Sequence, residues 1–251
     1  MAVSTSITPN PNESQADFAV RFHAANDSEI PKTSERERAC VEAWRTSGKD
    51  DLDRVAQSHF AADQFRHVQN IPVWAEHETT REKDGKEEQV KYELAELKAV
   101  LDRCNHRIED TGNFPTISHG HTPDHDALDR GARMPEALGF AGPFRLGMIG
   151  DKRPRWAIFA DEWHRKDCTA KLDRMRYRSP EVWVDDDVSK RFMDPIAALE
   201  TETPRLDLGM ARYRRAGDGQ LVQRYAATFA GAGNVFIPGE EPDRHQKPTE
   251  E

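Results

Sequence analysis

The sequence is short of cysteine, of long apolar runs and of net positive charge, and each shortage removes a class of protein. Its three cysteines, Cys40, Cys104 and Cys168, are widely spaced, odd in number and never arranged as CxxC. That argues against a disulfide framework or a thiolate zinc site and fits a reducing compartment. No run of about 18 apolar residues occurs, so no membrane-spanning helix is expected. The opening stretch, MAVSTSITPNPNESQADF, has neither a basic n-region nor an apolar h-region, so no signal peptide is expected. The formal net charge of −9 argues against a nucleic-acid binder driven by bulk charge. Two short basic stretches, Arg174–Arg178 and Arg212–Arg215, read as solvated faces. There is no GxSxG elbow, which excludes the α/β-hydrolase pattern. There is no internal repeat and no regular βαβ alternation, which excludes a doubly wound parallel sheet.

With 36% hydrophobic and 32% charged residues among 251, the expected core is modest and the polar segments long. Residues 1 to about 30, rich in Ser, Pro, Asn and Asp, read as largely disordered. Helices are expected over Thr33–Thr46, with Ser34 as N-cap and Glu37 as its capping-box partner, and over Asp50–Phe65. IPVWAEH, residues 71–77, is the first strand signal, and the charged ETTREKDGKEEQ after it reads as exposed. The strongest helix runs from Tyr92 to about Asp110. Leu94, Leu97, Leu101, Cys104 and Ile108 form one apolar stripe there, and Gly112 is a natural stop.

Beyond it the pattern turns to strands: FPTISHGHT, ALGFAGPFRLGMI, RWAIFADEW, YRSPEVWVDD, KRFMDPIAALET and GQLVQRYAATFA, with a short helix at RKDCTAKLDRMR. This order predicts an α+β fold: a mixed, mainly antiparallel sheet or partly open barrel with a few flanking helices. The expected organisation is an N-terminal extension over 1–66, a main domain over 67–230 and a flexible tail over 231–251.

Three histidines and three aspartates crowd into NFPTISHGHTPDHDALD, residues 113–129. His119, His121, Asp124 and His125 are similar to the HxHxDH zinc motif of metallo-β-lactamase-fold hydrolases. Here, however, Thr122 and Pro123 both intervene before the aspartate, and Pro123 restricts the backbone where ligands would converge. A polar loop with exposed imidazoles is a second reading. A histidine general base is the third. Among nucleophiles, Cys104 falls on an apolar helix face and Cys168 in a charged short helix, neither with an activator. Ser179 precedes Pro180, which forces it into an extended conformation on a strand. Period-two geometry then puts Ser179, Glu181 and Trp183 on one face.

The order of these segments resembles a family: the prohead (head maturation) serine proteases of tailed bacteriophages, distant relatives of the herpesvirus capsid maturation protease. The resemblance covers roughly residues 70 to 215 and rests on NHRIEDTGNFPTISHGHTPD, GFAGPFRLG, WAIFADEW, RSPEVW and DPIAALETETP, in that order. It implies a serine endopeptidase with His121 as base and Ser179 as nucleophile, His119 being able to support or replace His121. The third member would come from Asp194, Glu200, Glu202 or Asp207. Asp194, at the start of a strand, is the choice, with Glu181 as a neighbour able to orient the site. The resemblance further implies no cofactor and no metal. Its substrates would be the major capsid protein and a separate scaffold protein, cleaved in the host cytoplasm inside the procapsid, where the protease would also self-associate. Residues 1–66 have no counterpart in the pattern and would serve as a capsid adaptor, a removable propeptide or a scaffolding piece. Two rivals remain: a zinc-dependent hydrolase built on HGHTPDH, and a non-catalytic capsid assembly or scaffold protein.

Overall fold

The computed structural model describes residues 7–48, 51–83, 86–123, 125–150, 153–175, 177–183, 187–200, 210–215 and 221–224. The fold is α+β. Three helices lead: α1 (Gln15–Asn26), α2 (Thr33–Thr46) and α3 (Asp51–His59). Strand β1 (Phe65–Ala75) is followed by the antiparallel pair β2 (His77–Lys83) and β3 (Lys86–Tyr92), then the long helix α4 (Leu94–Thr111). After α4 come β4 (Thr116–His119), the short α5 (His125–Asp129), β5 (Ala137–Ile149), β6 (Arg155–Arg165), α6 (Thr169–Leu172), β7 (Tyr177–Trp183) and β8 (Phe192–Leu199). Short strands β9 (Met210–Arg215) and β10 (Leu221–Arg224) end the described chain.

Six strands form the heart of the sheet in the order β1-β6-β5-β4-β8-β7, and β10, β9, β2 and β3 continue it. Pairing is antiparallel except between β4 and β8 and between β2 and β9. The six strands curl until β7 lies beside β1. Among the described residues no ladder joins those two strands, so the barrel stays open.

The apolar stripe of α4 behaves as its spacing requires. Leu97, Val100, Leu101, Cys104 and Ile108 are buried, and Gly112 takes the left-handed cap at φ 65° with its N–H donating to the Ile108 carbonyl. Asn105 fastens the helix to β5 through both groups of its amide: Oδ1 accepts from Phe144 N at 2.8 Å and Nδ2 donates to Phe144 O at 2.8 Å.

The front of the chain differs from its sequence reading. Residues 15–26, expected to be unstructured, form a helix capped by Ser14, whose hydroxyl accepts the Asp17 N–H at 3.1 Å. Its Ala16, Phe18, Ala19 and Phe22 are buried in the same apolar cluster as Trp44, Leu101 and Ile158. The Ser34–Glu37 capping box is not formed. The N-cap is Lys32, and Glu37 instead accepts the Met148 N–H of β5 at 2.8 Å and meets His23 Nε2 at 2.8 Å. The charged stretch after residue 77 forms the antiparallel β2–β3 pair, with Lys83 opposite Lys86.

Consecutive residues of β6 point to opposite faces, and each face carries a buried carboxylate. Asp161 lies among Arg145 (2.9 Å), His67 (2.8 Å) and Arg45 (3.3 Å), which joins α2 to the sheet. Arg145 also pairs with Asp53 of α3. Glu162 takes Arg178 of β7 bidentately, at 2.6 and 2.8 Å, and His164 Nε2 at 2.6 Å. Arg66 of β1 donates to His164 Nδ1, so Nε2 carries the proton toward Glu162. Arg178 is thus no part of a solvated basic face: it is 7% exposed and bridges from β7 to β6 across the curled sheet. Burial opposes the charge on Glu162, but Arg178 and His164 outweigh it and bring its pKa down to about 2.

Two outcomes follow for stability. Phe22→Ala should cost about 3–5 kcal/mol in urea unfolding, because it leaves a cavity in the main core; an unchanged midpoint would mean that α1 is peripheral. The Glu162 carboxyl is depressed from an unfolded value near 4.5 to about 2 in the fold. Its contribution is therefore intact above about pH 4.5 and lost as the pH falls toward 2. Glu162→Gln should destabilise the protein at pH 7 by about 3–5 kcal/mol and should flatten the urea midpoint between pH 5 and pH 3.

Candidate functional site

The site is built on three adjacent strands. In the ladder, Ser118 of β4 pairs with Ala197 of β8, and Ala197 pairs with Ser179 of β7. Paired residues share a face, so Ser118, Ala197 and Ser179 form one row, the two serines roughly 10 Å apart across β8. Alternation along β7 adds Glu181 to the face of Ser179. Ile117, Ile196, Arg178 and Val182 take the other face, and all four are buried.

β4 ends at His119, whose N–H donates to the Glu136 carbonyl, and Gly120 follows with its N–H on Ala198 O. Gly120 has φ +83°, a conformation glycine adopts without steric cost. This turn sends the chain back over the sheet instead of onward. The Gly120 carbonyl comes to the Ser118 side and accepts its hydroxyl at 2.8 Å. The Thr122 N–H then donates to Glu181 Oε1 at 2.7 Å, and His121 Nδ1 lies 3.3 Å from the same oxygen. The loop His119–Pro123 therefore crosses the face that carries Ser179.

Burial is graded across the site. Ser179 and Glu181 have no exposed surface, Thr122 has 1%, and the His121 side chain keeps 20%. His119 is exposed. In the neutral imidazole the nitrogen that faces a carboxylate carries the proton, so there Nδ1–H points at Glu181 and the lone pair is on Nε2. That is the tautomer a general base needs. Glu181 also satisfies a backbone N–H, which fixes it in place. The hydroxyl of Thr122 is buried without a hydrogen-bond partner among the described residues.

The structure sorts the residues expected from sequence. It brings His121 to the strand of Ser179 and onto its neighbour Glu181; no hydrogen bond joins His121 to Ser179 among the described residues. No hydrogen bond or ion pair joins Asp194 to His121 among the described residues. Asp194 Oδ1 accepts the Thr116 N–H at 3.2 Å, and its main-chain oxygen accepts Trp183 Nε1 at 2.7 Å. Burial raises the Asp194 pKa, with Thr116 and Arg107 pulling the other way and Glu181 adding to the rise. The carboxylate at the imidazole is that of Glu181, two positions from the serine, a spacing already readable in RSPEVW. Glu200 is exposed, and Glu202 and Asp207 lie outside the described residues.

For the zinc reading, Asp124 lies outside the described residues. Among the described residues no group of three or more His, Cys, Asp or Glu side chains has metal-holding geometry. No described helix is long and apolar enough to cross a membrane. Both cysteines weighed as nucleophiles are buried: Cys104 sits under Met193, whose N–H points at its sulfur, and burial pushes its pKa up to about 12. Cys168 lies beside Glu136, and burial raises its thiol as well.

In the native protein at pH 8, Cys104 should therefore resist iodoacetamide, measured by peptide mass mapping, and should react only on unfolding. Rapid native labelling would contradict the packing of α4 on β8. Comparison with known family models, with curated proteins and with solved structures finds no match for this chain, so the reading of the site rests on its own geometry.

Proposed function

We propose that the protein is a serine endopeptidase of the prohead-protease type, with Ser179 as nucleophile, His121 as base and Glu181 as the carboxylate that orients the base. The observation that carries this reading is the meeting of His121 Nδ1 with the buried Glu181, on the face and strand of Ser179. In the reaction, His121 Nε2 takes the hydroxyl proton as Ser179 Oγ attacks a peptide carbonyl. The tetrahedral intermediate collapses to an acyl-enzyme while the same imidazole protonates the leaving amine, and water hydrolyses the ester by the reverse sequence. Glu181 holds the Nδ1–H tautomer and stabilises the imidazolium that forms. The chemistry needs no cofactor.

Substrates and setting come from the resemblance: the major capsid protein and the scaffold, processed within the immature shell in the host cytoplasm. Asp194 is assigned to the scaffold of the site, where it fixes the start of β4. The integration of α1 and α2 into the core weighs against a removable propeptide and favours a permanent extension of the protease.

Co-expression with the capsid and scaffold proteins of the same phage tests the reading. Processed bands should appear with the wild type and vanish with Ser179→Ala and His121→Ala. Glu181→Gln should slow processing on the order of a hundredfold or more, whereas Asp194→Asn, which keeps an oxygen for Thr116, should stay within about threefold. Processing that persists in both the serine and the histidine variants would overturn the assignment.

A further inference from the structure

A nucleophile has to reach a carbonyl carbon, yet Ser179 has no exposed surface. The segment folded back across its face is the Gly120–Pro123 turn, tied down at Glu181 Oε1. One carboxylate oxygen serves two donors there. The Thr122 N–H holds it at 2.7 Å, while His121 Nδ1 stands at 3.3 Å, beyond a strong hydrogen bond. Two features define this arrangement. Gly120 must stay at φ +83°, and the Thr122 hydroxyl is buried without a partner among the described residues.

We propose that the Gly120–Pro123 turn is a built-in lid, latched by Thr122 N–H to Glu181, which closes the serine off in the free chain. The inference rests on the function assigned above and concerns the regulation of that same site. Substrate entry requires Thr122 to leave Glu181. The oxygen this frees is the one His121 Nδ1 faces, so opening the lid and tightening the His121–Glu181 bond are one event. The orphaned Thr122 hydroxyl favours opening, because the lifted loop returns it to water or offers it to substrate. A protease latched in this way would stay silent as a free chain and act where substrate is concentrated.

Two substitutions outside the catalytic groups push the lid in opposite directions. Gly120→Ala strains the closed turn, since a Cβ disfavours positive φ, and the surroundings leave space for it, with nothing within 4 Å. Thr122→Val keeps the shape and the backbone N–H but removes the orphaned hydroxyl, so it relaxes the closed state.

The experiment places both in a Ser179→Cys protein and follows thiol modification by methyl methanethiosulfonate. Mass mapping separates the introduced thiol from the native Cys40, Cys104 and Cys168. The introduced thiol should label far more slowly in the folded protein than after unfolding in urea. Gly120→Ala should speed its labelling about tenfold, and Thr122→Val should slow it about threefold or more. Circular dichroism establishes that each variant is folded; if Gly120→Ala is not, the slowing by Thr122→Val alone decides. Labelling of the parent at the unfolded rate, or rates unmoved by the folded variants, would overturn the lid. Labelling needs no catalysis. A lid that behaves as stated in a protein whose capsid processing survives Ser179→Ala would therefore leave the lid standing and remove the protease reading.

Discussion

The site depends on one buried carboxylate. Glu181 has no exposed surface, and a group in that position is tolerated only when its oxygens are hydrogen-bonded. Thr122 N–H and His121 supply such bonds, and both come from the turn after β4. The need of one strand for donors thus fixes the path of a loop from another. That path carries an imidazole over the face of Ser179. The left-handed Gly120 and the hydroxyl bond of Ser118 to the Gly120 carbonyl are the local conditions that let the chain fold back.

The same logic, charge buried against charge, organises the scaffold. Asp161 and Glu162 occupy opposite faces of β6 and collect Arg145, His67 and Arg45 on one side, Arg178 and His164 on the other. Burial works against the ionisation of Asp161, but Arg145, His67 and Arg45 hold its carboxyl below the ordinary range. Such clusters add little net stability compared with apolar packing, and removing one partner costs much. They hold β7 across from β6, and α2 and α3 against the sheet, in one arrangement. Arg178 directly precedes Ser179, so the Glu162 pair also anchors the strand that carries the serine.

Much of the fold is legible in the sequence because local signals agree with tertiary demand. The stripe of α4 and its Gly112 stop predict the helix, and the strand-rich order after it predicts the mixed sheet. The misses have physical causes. The polar composition of residues 1–14 obscures α1, although Ser14 and Asp17 form a cap and Ala16, Phe18, Ala19 and Phe22 an apolar face. The β2–β3 pair is hidden by its charge, although the Asp-Gly at 84–85 is a hairpin signal. Spacing makes Glu37 look like a capping partner because it reports only near neighbours, while the group Glu37 binds, Met148 N, is 111 residues away. For the site, the histidine and the serine are readable as types in a pattern. The choice between Asp194 and Glu181 is not, because it depends on which carboxylate the fold-back of the 120–123 turn reaches.

The central claim is that His121 and Glu181 activate Ser179 for attack, and covalent trapping tests it most directly. The Gly120→Ala protein, whose strained turn opens the site, is treated with a fluorophosphonate, and the intact mass and the modified peptide are measured. One adduct per chain, on Ser179, formed at least about a hundredfold more slowly in His121→Ala, is the result this account predicts. An adduct on another residue, no adduct at all, or equal rates with and without His121 would contradict it.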